Sequence, residues 1–299
     1  MTISEDTPLA LEPGGRPVAP TRPVGRRTSG TRWLVYLALV IGVVVTLFPF
    51  FWMVTSSFKT QGEILRNPTG LFPQDPTWEN YATWFTQLNI QKFFFNSVLV
   101  AVVTVLGNLV FCSMVGYALA KMDFPGKRLL FVLVLICLMT PGVVTFVPLF
   151  VLVSKIGLVN TYPALILPFL TTPLGVFLMR QFMMGIPDPL IEAARIDGAG
   201  DFRIFARIVI PLCGPPLATL GILTFLASWN NFLWPLVAAQ SEDKYTLPVA
   251  LALYTTGRPD ATDYGLLLAG SVLVVGPIVL LFVCLQRFFT QSIAATGVK

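Results

Sequence analysis

The chain has 299 residues, of which 55% are hydrophobic and only 12% charged, where soluble domains carry about a quarter. Its 20 Lys and Arg outweigh 15 Asp and Glu to give +5, and histidine is absent. The length would allow two soluble domains, but the apolar residues fall in blocks too long for a water-soluble core. The missing histidine also removes Ser-His-Asp hydrolysis, His-based metal sites and His proton relays.

The first 30 residues are rich in Pro, Gly, Arg and Thr, and residues 1–30 are expected to be a disordered tail. The apolar segment that follows is too long for a signal peptide and lacks an A-x-A-like cleavage site. Charge-free runs long enough to cross a bilayer core of about 30 Å occur six times, at 33–58, 93–120, 129–154, 156–179, 208–241 and 264–286. The third and fourth are divided by Lys155 and the breakers Gly157, Asn160 and Pro163. The tail of the fifth, 228–241, reads as an interfacial exit segment. Continuous runs of this length exclude a β-barrel and predict an all-α membrane protein with six transmembrane helices.

Basic residues alternate between the two sides: the N-terminal tail, the second and fourth loops and the C-terminus hold 14, the other three loops 6. The asymmetry predicts both termini in the cytoplasm. Trp52, Trp229 and Trp234 are expected in the outer aromatic belt and Trp33 in the inner one. Cys112, Cys137, Cys213 and Cys284 all lie in apolar runs without a CxxC pair, which favours small buried filler over metal binding.

The fourth loop, 180–207, holds four basic and four acidic residues between two apolar spans. Asp188 can cap a short helix over 190–197, with Pro189 at its first position and Gly198 ending it in the left-handed conformation. Asp201 can cap a second helix over 202–210. Together they form a compact knob. Ala193 and Ala194 would let a partner approach, Glu192 and Arg195 lie within pairing distance, and Arg203 and Arg207 share a face. A solvated amphipathic loop is the alternative reading of the same residues.

Glu192-Ala193-Ala194, Asp197-Gly198-Ala199 and Ile208-Val209-Ile210-Pro211 resemble the EAA signature of ABC-transporter permeases. Gly198 stands four residues after Ala194, and nine residues separate it from Ile208; Ile210 replaces the usual Leu. Asn96-Ser97, Tyr117-Ala118-Leu119-Ala120, Phe124-Pro125-Gly126, Asn160-Thr161-Tyr162, Ser228-Trp229-Asn230-Asn231-Phe232 and Gln286-Arg287-Phe288-Phe289 are similar to the maltose-type carbohydrate permeases. The resemblance runs over 34–299, although 292–296 follows the family's small-residue tract loosely.

That resemblance implies a type I ABC importer permease fold in 31–299, in a bacterial cytoplasmic membrane, and a subunit without catalysis of its own. A phosphate loop is missing, since Lys121 stands where Gly126-Lys127 would need the first glycine. ATP and Mg are therefore expected at two partner ATP-binding subunits, and no cofactor or metal on this chain. A second homologous permease subunit, an extracytoplasmic solute-binding protein and membrane lipid are the other expected partners, with no nucleic acid. By resemblance, Glu192, Ala193, Ala194, Asp197, Gly198, Arg203, Gly297 and Lys299 contact the ATP-binding subunit. Tyr254, Thr255, Gly257 and Arg258, in the fifth loop, would reach the solute-binding protein; a structured loop without ligand contact is the alternative.

Asn108, Tyr117, Asn230 and Asn231 are candidates for the solute pathway, or else hydrogen-bonding glue between helices. The central parts of the spans lack ionisable residues, which argues against a proton- or ion-coupled secondary transporter. The same lack of cations favours a neutral di- or oligosaccharide over glycerol phosphate, the substrate of a related permease group.

Overall fold

A computed structural model of the protein describes residues 29–256 and 262–296, and these are helical with no β-strand among them. The chain divides after Phe51. The first unit is most of helix α1 (Ser29–Ser56), whose apolar stretch Trp33–Ser56 has a mean hydropathy of 2.6. The second unit comprises everything from Trp52 onward.

The second unit opens with two short helices, α2 (Gln61–Arg66) and α3 (Glu79–Thr86). The unbroken helix α4 (Ile90–Lys121) follows, then α5 (Lys127–Met139) and α6 (Gly142–Lys155). These last two meet at 104°, so the run 129–154 is not the single straight helix its length suggests. Pro141 is the reason: it denies helical geometry to the residue before it, and Thr140 is extended at φ −76° and ψ 121°.

The fourth span is interrupted too. It comprises α7 (Tyr162–Ile166), a 3-10 turn (Leu167–Phe169), non-helical residues 170–172 and α8 (Pro173–Met184). Beyond the loop come α9 (Asp188–Ile196) and α10 (Asp201–Ile204), a π-helical turn (Phe205–Val209) and α11 (Ile210–Leu212). The fifth span, α12 (Gly214–Trp229), turns away from that segment by 82°. Residues 208–212, expected inside the span, thus complete the knob, and the Pro211, Pro215 and Pro216 cluster marks the change of direction. Helices α13 (Leu233–Ala238), α14 (Leu247–Thr256) and α15 (Tyr264–Thr296) close the unit. Among the described residues, four helices are long and apolar enough to cross a membrane, or six when each bent pair counts as one span.

Helix α4 is the centre of the packing, with α8 and α12 against it. Gly116 permits the approach to α8, because a Cβ there would lie 2.8 Å from Met179 Cβ. Trp229 and Trp234 are buried within the protein. Each indole N–H finds a carbonyl, Trp229 Nε1 donating to Val274 (3.1 Å) and Trp234 Nε1 to Ala164 (2.9 Å); a satisfied indole can be packed inside at no polar cost. Cys112 and Cys213 are buried as expected, whereas Cys137 is exposed on α5; no cluster of metal-ligating residues occurs among the described residues.

At the end of α4 remote from the knob, Asn96 Nδ2 donates to the carbonyls of Asp243 (3.0 Å) and Tyr245 (2.9 Å), and its Oδ1 accepts from Tyr162 Oη (2.8 Å). Ser97 Oγ accepts the Leu247 N–H at 2.7 Å. Asn160, at φ 64°, accepts the N–H groups of Gln240 and Ser241. These asparagines fasten the segment between α13 and α14 to the helix ends.

Candidate functional sites: the helical knob and the pathway residues

The knob begins where α8 ends. Pro187, at φ −60° and ψ 128°, precedes α9, so Asp188 is the helix's first residue and not its cap. Its carboxylate instead receives Lys121 Nζ at 2.6 Å, and the same ammonium donates to the Ile186 carbonyl at 2.6 Å. The Lys121 hydrogen bond, with its charge, holds the Asp188 carboxyl below its ordinary value.

One face of α9 is sealed against the core by Ile191 and Ala194, the latter 8% exposed. Ala194 therefore serves packing within this chain rather than approach by a partner. Glu192, Ala193, Asp197 and Arg203 are exposed. Helix α9 ends as expected: Gly198 stands at φ 80°, its N–H donates to Arg195 O and the Ala199 N–H to Ala194 O, both at 3.0 Å. That pair of bonds is the Schellman arrangement. Arg195 reaches across the turn to Asp201 (3.1 Å) rather than back to Glu192. Asp201 is again the first helical residue, following Gly200, and caps nothing.

In the π-helical turn the buried residues Ile204 and Val209 are five apart. Five positions would diverge by about 140° on an α-helix; the wider turn brings both onto the core face. Phe205 lies against Tyr117, ring centroids 5.4 Å apart. Of the apolar side chains left outside on the knob, Ile196 (86% exposed) and Phe202 (73% exposed) are the most exposed. Sequence reasoning passed over both. Their signal was available, because Ile196 falls outside the buried stripe set by Ile191 and Ala194.

The pathway candidates separate into different environments. Asn108 is fully buried at the crossing of α4 with the interruption of the fourth span. Its Nδ2 donates to Phe169 O (2.6 Å) and Thr104 O (3.1 Å), and its Oδ1 accepts from Thr172 Oγ1 (2.8 Å). It is a brace, with no capacity left for a solute. Tyr117 is buried among knob residues. Asn230 is exposed and returns its amide to Leu226 O at 2.9 Å. Asn231 lines a cavity of about 280 Å³ between α4, α8 and α12.

In the fifth loop, Thr255 is fully buried, donating its hydroxyl to Leu251 O. Tyr254 is partly buried, 5.8 Å from Phe93 by ring centroids. Burial, then the neighbouring Glu242, pushes its hydroxyl up to about 12. Gly257, Arg258, Gly297 and Lys299 lie outside the described residues.

Residues 112–295 match the family described as binding-protein-dependent transport system inner membrane component. The chain is 44% identical over 278 residues to the arabinooligosaccharides transport system permease protein AraQ of Halalkalibacterium halodurans, an alignment covering 92% of this chain and 99% of that one. It is 37% identical over 258 residues to the diacetylchitobiose uptake system permease protein NgcG of Streptomyces coelicolor, covering 86% and 85%. Its fold resembles a chain of a bacterial ABC transporter involved in import of the acidic polysaccharide alginate, with a TM-score of 0.79, 22% identity, and coverage of 89% of this chain and 100% of that one. The match of more than half its length, and the alignment along nearly all of AraQ, make this chain a member of the binding-protein-dependent transport system inner membrane components.

Proposed function

We propose that this chain is one of two permease subunits of an ABC importer that carries a neutral oligosaccharide across the bacterial cytoplasmic membrane. The observation that carries the reading is the knob: a rigidly stapled pair of short helices that leaves Glu192, Ile196, Asp197 and Phe202 facing outward. Exposed apolar side chains among charges suit a protein partner. The partner is a pair of ATP-binding subunits holding ATP and Mg, with this chain binding no cofactor and both its termini in the cytoplasm. Closure of those subunits would move the knob as a rigid body and switch the pathway between two states. A solute-binding protein would deliver the sugar at the opposite end, near α14. The oligosaccharide permeases AraQ and NgcG among its relatives support a neutral sugar, and no charged residue lines the cavity beside Asn231 to favour a phosphate ester.

The test is co-purification with the products of neighbouring transport genes, followed by ATPase assay in proteoliposomes. Stimulation by a sugar-loaded binding protein is the expected result. Sugar uptake by this chain alone would overturn the assignment.

A further inference from the structure

The fourth span is broken at membrane depth, and non-helical backbone there is tolerated where it is buried or lines a cavity. Phe169 and Thr172, on either side of the break, form one wall of the cavity of about 280 Å³. Asn108 and Thr172 satisfy each other. The remaining polar groups of the wall are unsatisfied. Thr104 is 2% exposed and its Oγ1 has no hydrogen-bond partner among the described residues. Thr224 and Ser228 on α12 and Asn231 just beyond it also make no side-chain hydrogen bond among the described residues. Thr224 and Ser228, four apart, share one face of α12, and Asn231 follows just past its end.

We infer that this cavity is a subsite for a neutral sugar ring, read by the hydroxyls of Thr224 and Ser228 and the amide of Asn231. The inference rests on the proposed sugar transport. Thr224, Ser228 and Asn231 thus present uncommitted hydrogen-bonding groups to one largely apolar hollow, which a ligand with several hydroxyls would engage. Charge is absent from the wall, so neither an ammonium nor a carboxylate would find an opposite ion. Phe169 and the leucines of α12 offer apolar surface to the C–H faces of a ring. The hollow, of about 280 Å³, has room for a sugar ring.

Uptake of labelled neutral di- and trisaccharides, arabinotriose and diacetylchitobiose included, is measured in cells carrying the complete transporter, alongside monodeoxy analogues of whichever sugar the wild type accepts. Thr224→Val with Ser228→Ala is expected to lower uptake efficiency about tenfold, the scale of one or two lost hydrogen bonds. It should also bring the preference for the parent sugar over one deoxy analogue close to unity, with Thr224→Ser restoring it. Loss of discrimination is a readout that a packing defect would not produce. Unchanged efficiency and discrimination, at normal membrane levels, would overturn the subsite and leave sugar transport standing. Wild-type cells that take up none of these sugars would overturn both.

Discussion

Lys121 and Asp188 form an ion pair of 2.6 Å in which the lysine side chain is 5% exposed and the aspartate 72%. The last residue of α4 is thus buried in order to hold the first residue of the knob. Lys121→Met would leave the Ile186 carbonyl unpaired and free the start of α9. The expected result is faster proteolysis within 184–200 and a melting temperature about 3 °C lower, with insertion unchanged. Because the folded Asp188 pKa is depressed, its contribution is fully present above the ordinary carboxylate value near 4 and lost as pH falls through the lower folded value. The difference between wild type and variant should stay constant from pH 7 to 5 and shrink below about pH 4.

Gly198 has a left-handed φ of 80°, yet a Cβ there would meet no atom within 4 Å. Gly198→Asp therefore strains the backbone by about 1 kcal/mol without a clash. Gly198→Asn should be tolerated better, since asparagine visits this region. In proteoliposomes, Gly198→Asp and the exposed-site change Glu192→Lys are expected to insert normally while ATP hydrolysis continues without sugar uptake. Normal uptake by both variants would remove the knob from the coupling path.

Ile196 and Phe202 contribute little to this chain's own core because they face outward. Ile196→Asp and Phe202→Ala should leave the melting temperature within about 1 °C, in keeping with exposed positions. Retention of the ATP-binding subunits on the affinity-tagged permease is expected to fall at least fivefold. Pull-down with quantitative immunoblotting reads this directly.

Asn108 joins α4 to the interrupted fourth span through two hydrogen bonds, to Phe169 O and from Thr172 Oγ1, and makes a third within α4 to Thr104 O. Asn108→Leu would strand the Phe169 carbonyl and the Thr172 hydroxyl in a buried site, costing about 3 kcal/mol. A fall in melting temperature of about 8 °C, or loss of the protein from the membrane, is the expected outcome. Asn230→Ala, at an exposed position, should change neither.

The apolar runs and the knob were legible because their signals are local: run length, loop charge, and a glycine at the one position that needs positive φ. Pro187, however, took the cap position assigned to Asp188, which a buried lysine from another helix recruited. Thr140-Pro141 was visible as a breaker, but a 26-residue run fitted one span so well that the 104° bend could not be read from it. The asparagines show the limit best. Asn108, Asn230 and Asn231 have the same side chain in similar apolar surroundings. Whether each braces, faces outward or lines a cavity depends on what lies opposite, and that is a property of packing.

Helix α4 has 32 residues without a break, a span of about 48 Å at 1.5 Å per residue. Lys121 grips the knob at one end, and Asn96 and Ser97 hold the α13–α14 connection near the other. Under the proposed coupling such a helix would serve as a lever. A tilt of about 5° pivoting at Lys121 would carry the far tip roughly 4 Å over that length. In that proposal, binding at one end of α4 would be felt at the other without any chain of altered side chains between them.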